Sequence, residues 1–285
     1  MRQTPVLWLI WPLVAVMAVF FLALLRFADV SLLHQIPGTA MFEGPRHLGN
    51  YADTFASPLA RQALLDTLVL SLEITALTIL AGYPLAYLMA RSPSDVLRNA
   101  IFFTLIVTFL SGGITRAYAW MLVLGTTGPV NGLIQAMGFE RVRLINNQFG
   151  VVISIVHFIL PFFVLTLLGA IKNIPATLEE AARSHGASRW EAFRTVTLPL
   201  SVPGLVSASL LAFTLAISSF LFPLLLGGGR VQMFANLIYD RIQSSFDMPT
   251  AAAMAMIFLI FALIPIALLN LIRGRLSRRF GGTRR

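Results

Sequence analysis

The chain has 285 residues, 57% of them hydrophobic and 12% charged, with no cysteine and a formal net charge of +9. A soluble domain carries about 25% charged residues, so a fold of this length cannot hide so much apolar surface, and the surplus faces lipid. The missing cysteines exclude disulfides, thiolate catalysis and Cys-ligated metal centres.

A helix needs about 20 apolar residues to cross hydrocarbon. Six stretches qualify, near 6–25, 67–89, 100–124, 150–171, 202–226 and 251–272. The first exceeds the roughly 7–15 apolar residues of a signal peptide. No small-residue cleavage site follows it in 26–33, so it reads as a retained span. The segments 26–66, 125–149 and 227–250 are rich in Gly, Pro, Asn and Asp, as surface connections are. The connections 90–99 and 172–201 lie on the opposite side. No internal repeat and no low-complexity linker interrupts the chain, so 1–285 reads as one all-α membrane domain.

Six spans place both termini on one side, and arginine chooses the side. If the termini are cytoplasmic, thirteen basic residues lie inside: Arg2, Arg91, Arg98, Lys172, Arg183, Arg189, Arg194, Arg273, Arg275, Arg278, Arg279, Arg284 and Arg285. Seven lie outside: Arg26, Arg46, Arg61, Arg141, Arg143, Arg230 and Arg241. The positive-inside rule therefore favours cytoplasmic termini. The net charge reads as topology and contact with anionic lipid, not nucleic acid, because the basic tail lacks aromatics beyond Phe280.

The long inner connection carries the densest signals. Thr177 followed by Glu180 has capping-box spacing and predicts a helix start. Leu178, Ala181 and Ala182 form a small apolar face, and Gly186 permits a turn at positive φ. Ser188 with Glu191 predicts a second capped helix holding Trp190, Phe193 and Arg194, and Pro199 is expected to end it before the next span. Such a projection suits docking, with alanines admitting a close surface and Trp190 and Phe193 as anchors. It equally suits an amphipathic loop lying on the inner leaflet.

Charges within a span are costly and face the protein interior. Glu73 and Arg116 either line a translocation path or pair with each other to join the second and third spans. Tyr118 and Trp120 either face an organic cation or belong to the interfacial aromatic belt. Tyr239, Asp240 and Asp247 guide a cation, contact an external protein, or sit in a solvated loop.

No motor is visible. A P-loop needs a Gly-rich turn ending in Lys-Ser/Thr. The sole lysine, Lys172, has no such turn, and Gly227-Gly228-Gly229-Arg230 lacks the following lysine. His34, His47, His157 and His185 are scattered, and neither a nucleophile constellation nor a metal cluster is expected. The chain therefore reads as a non-enzyme.

Glu180-Ala181-Ala182, then Gly186, then Val196-Thr197-Leu198-Pro199, resembles the EAA loop of ABC importer permeases, with Val196 where Ile is usual. Asn50-Tyr51, Gly82-Tyr83-Pro84-Leu85-Ala86-Tyr87, Arg116-Ala117-Tyr118-Ala119-Trp120, Leu160-Pro161-Phe162 and Leu237-Ile238-Tyr239 resemble the spermidine/putrescine branch of that family. The resemblance implies six transmembrane helices, cytoplasmic termini and a cytoplasmic two-helix coupling loop over 173–200, in a bacterial inner membrane. It implies that Glu179, Glu180, Ala181, Ala182, Gly186, Ala187, Trp190, Phe193 and Pro199 couple to an ATPase. ATP and Mg²⁺ would sit on two partner ATPase subunits, with no cofactor bound by this chain. A second permease subunit, forming a heterodimer, and an external solute-binding protein complete the implied assembly. The implied substrate is a polyamine or another organic cation. An anion such as a phosphonate, met by Arg116 and Arg230, is the alternative. Rivals from other classes are an ion-driven secondary transporter, which often shows related halves, and a membrane-anchored assembly protein.

Overall fold

The computed structural model describes residues 4–36, 39 and 41–280, leaving aside the side chains of 4–10, 269 and 272–280. Arg2, Arg284 and Arg285, counted above for topology, lie outside the described residues, as do the side chains of Arg273, Arg275, Arg278, Arg279 and Phe280. Among the described residues, five helices are long and apolar enough to cross a membrane. They are Trp11–Val30, Pro58–Arg91, Gln148–Lys172, Arg189–Ile217 and Met248–Leu268. A sixth span arises if Asp95–Leu110 and Gly113–Ala136, bent by 108° at their junction, count as one. The chain forms two compact units, 1–64 with 234–261, and 65–233 with 262–285.

The first unit opens with α1 (Thr4–Val30), whose residues from Trp11 onward are mostly exposed and apolar. A short antiparallel pair, β1 (His34–Gln35) and β2 (Phe42–Glu43), follows with His34 opposite Glu43. Asn50, on α2 (Gly49–Ala56), donates from Nδ2 to the carbonyls of Ser31 (2.8 Å) and Leu33 (2.9 Å), just past the end of α1. Tyr51 shares a 2.7 Å hydrogen bond with Ser31 Oγ. These three bonds account physically for the Asn50-Tyr51 pair. Ser57 Oγ accepts from Ala60 N at the start of α3 (Pro58–Arg91), with Pro58 in the first helical position. The unit's core gathers Ala60, Ala63, Leu64, Phe234, Leu237, Met254 and Ile257.

The second unit is built on α7 (Gln148–Lys172). Asn147 caps it by accepting from Gly150 N at 3.0 Å. Ile155, Ile159, Phe163, Leu167 and Ile171 recur every four residues and are fully buried. They form a ridge along the helix. It packs against α10 (Leu198–Ile217). Gly204, Ala208, Ala212 and Ala216 recur at the same spacing on α10, and the three alanines are fully buried. Small residues let the two backbones approach closely. At Gly204 the approach is tight: a Cβ there would lie 2.1 Å from the Cβ of Ala170. At Gly82 of α3, a Cβ would lie 2.5 Å from the ring of Phe163.

Two expected spans differ. The third, 100–124, is not continuous. It breaks at Ser111-Gly112 into α4 (Asp95–Leu110) and α5 (Gly113–Leu124). Gly112 is extended, with φ −60° and ψ 148°, which a regular helix cannot contain. The fifth span, expected at 202–226, stops at Ile217, and α11 (Leu221–Leu226) follows as a separate short helix. The connections are also more helical than expected. They contain α6 (Pro129–Ala136) and α12 (Phe234–Gln243). Asp247 Oδ1 accepts from Thr250 N at 3.1 Å and so caps α13 (Met248–Phe280).

The close α7–α10 packing yields a test. Gly204→Val should overfill the contact with Ala170 and cost about 1–3 kcal/mol, read as a lower thermal midpoint in detergent. Gly169→Ala, where an added Cβ meets nothing within 4 Å, should leave the midpoint unchanged or raise it slightly.

Candidate functional site

The loop after α7 folds as two helical pieces around a glycine elbow. The first, α8 (Ala176–Ser184), differs from expectation at its start. Pro175 occupies the N-cap without a side-chain bond, and Thr177 already lies inside the helix. Pro175 has φ −56°, which suits a helix entry, and its carbonyl accepts from Leu178 N at 3.2 Å. The C-terminus is closed by two backbone bonds, Gly186 N to Arg183 O (3.0 Å) and Ala187 N to Ala182 O (3.2 Å). This is a Schellman closure, and it needs a left-handed residue. Gly186 supplies it with φ +93°.

The second piece, α9 (Arg189–Ala192), begins at the expected capping box. Ser188 Oγ accepts from Glu191 N (3.2 Å), and Glu191 Oε2 accepts from Ser188 N (2.7 Å). Pro199 does not end this helix. The chain passes through a π-helical segment, Phe193–Thr197, and runs directly into α10 with Pro199 in its first turn. A proline ring in a regular α-helix meets the carbonyl four residues earlier. Here Leu198 N bonds Phe193 O, five residues back, so the wider winding makes room for the ring.

A single carboxylate ties this loop to α3. Arg91 Nε donates to Glu179 Oε1 at 2.8 Å, and both side chains are only 14% exposed. Tyr87 OH donates to Oε2 at 3.2 Å, and Thr197 Oγ1 donates to Oε1. Arg91 Nη2 also donates to Ile174 O at 2.8 Å. Phe193 packs its ring edge-on against Tyr83 (5.0–5.7 Å being the range for its two tyrosine neighbours) and Tyr87. It stacks on Trp190 at 5.2 Å. Burial pushes the Glu179 carboxyl up. The hydrogen bonds from Thr197 and Arg91 and the Arg91 charge outweigh it, and the group titrates below the usual carboxylate range.

The nine loop residues singled out above therefore divide. Glu179 and Phe193 face the rest of the chain, and Pro199 is half-buried in α10. Glu180, Ala181, Gly186 and Trp190 are exposed, and Ala182 and Ala187 are half-buried. Arg91 and Thr197 were not singled out as loop partners. Arg91 stands 88 residues from Glu179, and no spacing rule connects them.

The transport-path residues are dispersed. Glu73 and Arg116 do not pair. Glu73 Oε2 accepts from Gln148 Nε2 at 2.7 Å. Arg116 is 6% exposed and donates to Ser111 O (Nη2, 2.6 Å; Nε, 3.1 Å) and Phe158 O (3.3 Å). Its guanidinium lies 4.8 Å from the Phe158 ring centre. The physical reason is the break before it: α4 ends with an unsatisfied carbonyl end, and a cation is the favoured partner there. Tyr118 is 54% exposed, whereas Trp120 Nε1 donates to His157 Nδ1 at 3.2 Å. His157, read in sequence as one scattered histidine, is thus held against α5. Tyr239 and Asp240 lie half-buried on α12 in the first unit, not in a loop.

Residues 82–280 match the family described as binding-protein-dependent transport system inner membrane component. The chain belongs to this family of inner-membrane permease subunits of ABC importers. It is 31% identical over 233 residues to the spermidine/putrescine transport system permease protein PotB of Escherichia coli K12, covering 81% of this chain and 82% of that protein. PotB of Haemophilus influenzae is 31% identical over 220 residues, covering 76% of each chain. The inner membrane ABC transporter permease protein YdcU of Escherichia coli K12 is 27% identical over 228 residues, covering 75% of this chain and 70% of that protein. Among solved structures, a bacterial ABC transporter importing the acidic polysaccharide alginate superposes with TM-score 0.77 at 20% identity, covering 95% of this chain and 96% of that one. The inward-facing MetNI methionine ABC transporter superposes with TM-score 0.57 at 20% identity, covering 77% and 94%. These two likenesses are of fold alone.

Glu179→Gln, with Arg91 left in place, should destabilise the loop by about 2–3 kcal/mol, because one partner of a nearly buried pair is removed. Faster hydrogen exchange over residues 174–199 and a lower thermal midpoint would report it. Unchanged exchange would remove the tether. The carboxyl is depressed, so its contribution is full above the ordinary value of about 4.3 and is lost as pH falls through the lower folded value. The midpoint gap between wild type and Glu179→Gln should stay constant from about pH 8 to about pH 5 and narrow below that.

Proposed function

We propose that this chain, as one permease domain over 1–285, forms a heterodimer with a second permease subunit and imports a polyamine or a similar organic cation. Its termini lie in the cytoplasm, and the loop 173–200 docks two-helix first onto an ATPase. ATP and Mg²⁺ belong to two ATPase subunits, and an external solute-binding protein delivers the substrate. The observation that carries the reading is the Glu179 tether: a projecting loop clamped to α3 through Tyr87 and Arg91, and continuous with α10 through the π segment. A push at its exposed elbow is passed to two membrane helices instead of being absorbed by a slack connection.

Glu180, Ala181, Ala182, Gly186, Ala187 and Trp190 form the docking face in this reading, while Glu179, Phe193 and Pro199 hold the loop in shape. The substrate class follows the spermidine/putrescine permeases among the relatives. The anion alternative loses one of its two arginines, since Arg116 is committed to backbone carbonyls. Glu73, half-buried on α3, is the carboxylate proposed to face a passing cation. Access alternates as the loaded solute-binding protein and ATP favour different states of the assembly, which requires different affinities for those states.

An ATPase and a second permease should co-purify with this chain, and its reconstituted complex should take up labelled spermidine in competition with other polyamines but not with amino acids or phosphonates. Gly186→Pro and Ala182→Trp should leave membrane insertion intact while uncoupling ATP hydrolysis from uptake by tenfold or more. Normal coupling in both would overturn the docking role. Glu73→Gln should lower cation uptake per folded complex; a loss of folded protein with normal uptake per complex would assign Glu73 to structure alone.

A further inference from the structure

Between α8, the second loop helix and the end of α3 lies an open cleft of about 660 Å³. Its walls mix two chemistries. Pro84 and Leu88 of α3 and the stacked pair Trp190 and Phe193 make an apolar side. Arg183 and Arg189 stand on the loop side, and neither has an ion-pair partner among the described residues. The tethered pair, Arg91 with Glu179, also lines the cleft but is mutually neutral. Glu180 is the remaining charge. The uncommitted charges thus sum to one positive unit.

The cleft shares Glu180 and Trp190 with the proposed docking face but leaves Ala181, Ala182, Gly186 and Ala187 of that face outside it. Ala176, Glu179, Glu180 and Arg183 line it, at i, i+3, i+4 and i+7. That is one side of a helix. Leu178, Ala181 and His185 fall on the other side. Leu88 is 42% exposed and Trp190 is 67% exposed, both large apolar side chains beside exposed arginines. Arginine and tryptophan together at the end of an apolar span are the pattern of the headgroup boundary.

We propose that this cleft holds one anionic phospholipid of the inner leaflet, its phosphate between Arg183 and Arg189 and its upper acyl carbons against Leu88 and Trp190. The occupied cleft wedges the loop against α3 and stabilises the Glu179 tether. The inference rests on the cytoplasmic placement of the loop proposed above. A free phosphate compound would satisfy the arginines but leave the apolar side uncovered, which is why the lipid is the occupant.

The test uses the full-length chain in detergent, incubated with equal amounts of phosphatidylglycerol and phosphatidylcholine, and counts retained lipid by native mass spectrometry. Wild type should retain phosphatidylglycerol in preference. The variant Arg183→Gln/Arg189→Gln should lose up to roughly thirtyfold of that preference, the combined effect of two arginines at an anionic surface. Arg141→Gln/Arg143→Gln, an equal loss of charge elsewhere, should keep it. In wild type, a photoactivatable phosphatidylglycerol should label peptides spanning 84–93 and 183–193. Equal retention of the two lipids, an unchanged preference in the Arg183/Arg189 variant, or labelling confined to other peptides would overturn the proposal. Displacement by soluble glycerol phosphate would also overturn it, assigning the cleft to a free phosphate. Reporter fusions to the loop test its placement separately, so a wrong topology and an absent lipid are told apart.

Discussion

A backbone amide or carbonyl in hydrocarbon finds no water, and leaving it unpaired costs several kcal/mol. Long helices meet this demand along most of the second unit. The chain departs from them at defined places, and two of these departures show how the demand is met. Where α4 stops at Ser111, the Arg116 guanidinium takes the Ser111 carbonyl and reaches Phe158 O. Where Pro199 removes a donor from the helical ladder, the π segment rewinds it by one residue. The same logic operates in the first unit, where Asn50 takes the carbonyls after α1.

Those local solutions leave the winding continuous from the loop into α10. Its small-residue face, Gly204 to Ala216, then seats it on the α7 ridge. The loop's other attachment is Glu179, whose carboxylate gathers donors from α3 and from the π segment at once. One acidic side chain therefore joins three elements of the second unit. The side chains are 14% exposed, so solvent screens the pair little, and the hydrogen bonds offset the cost of burying it.

The two faces of α8 divide the work. The face with Glu179 looks toward α3, where it supports the tether and lines the cleft. The face with Ala181 carries small side chains that a partner surface can approach. Trp190 lies between these roles: its ring stacks on Phe193 yet stays largely exposed.

Much of this is legible in the amino-acid sequence. Apolar length marked the membrane helices, because hydrocarbon thickness sets a length that composition must satisfy. The Ser188 cap and the Gly186 elbow were legible because capping and positive φ depend on residues a few positions apart. The loop motif identified the family for the same reason, through fixed short-range spacing. The break in the third span was not legible, since its apolar composition is the same whether a helix is straight or bent at Ser111-Gly112. Nor was the start of α8, where Pro175 took the position that Thr177 was expected to fill. The partners of Glu73, Arg116, Glu179 and His157 were decided only by tertiary structure. Glu179 meets Arg91 across 88 residues and Glu73 meets Gln148 across 75, and no local periodicity encodes contacts made by helices packing side by side.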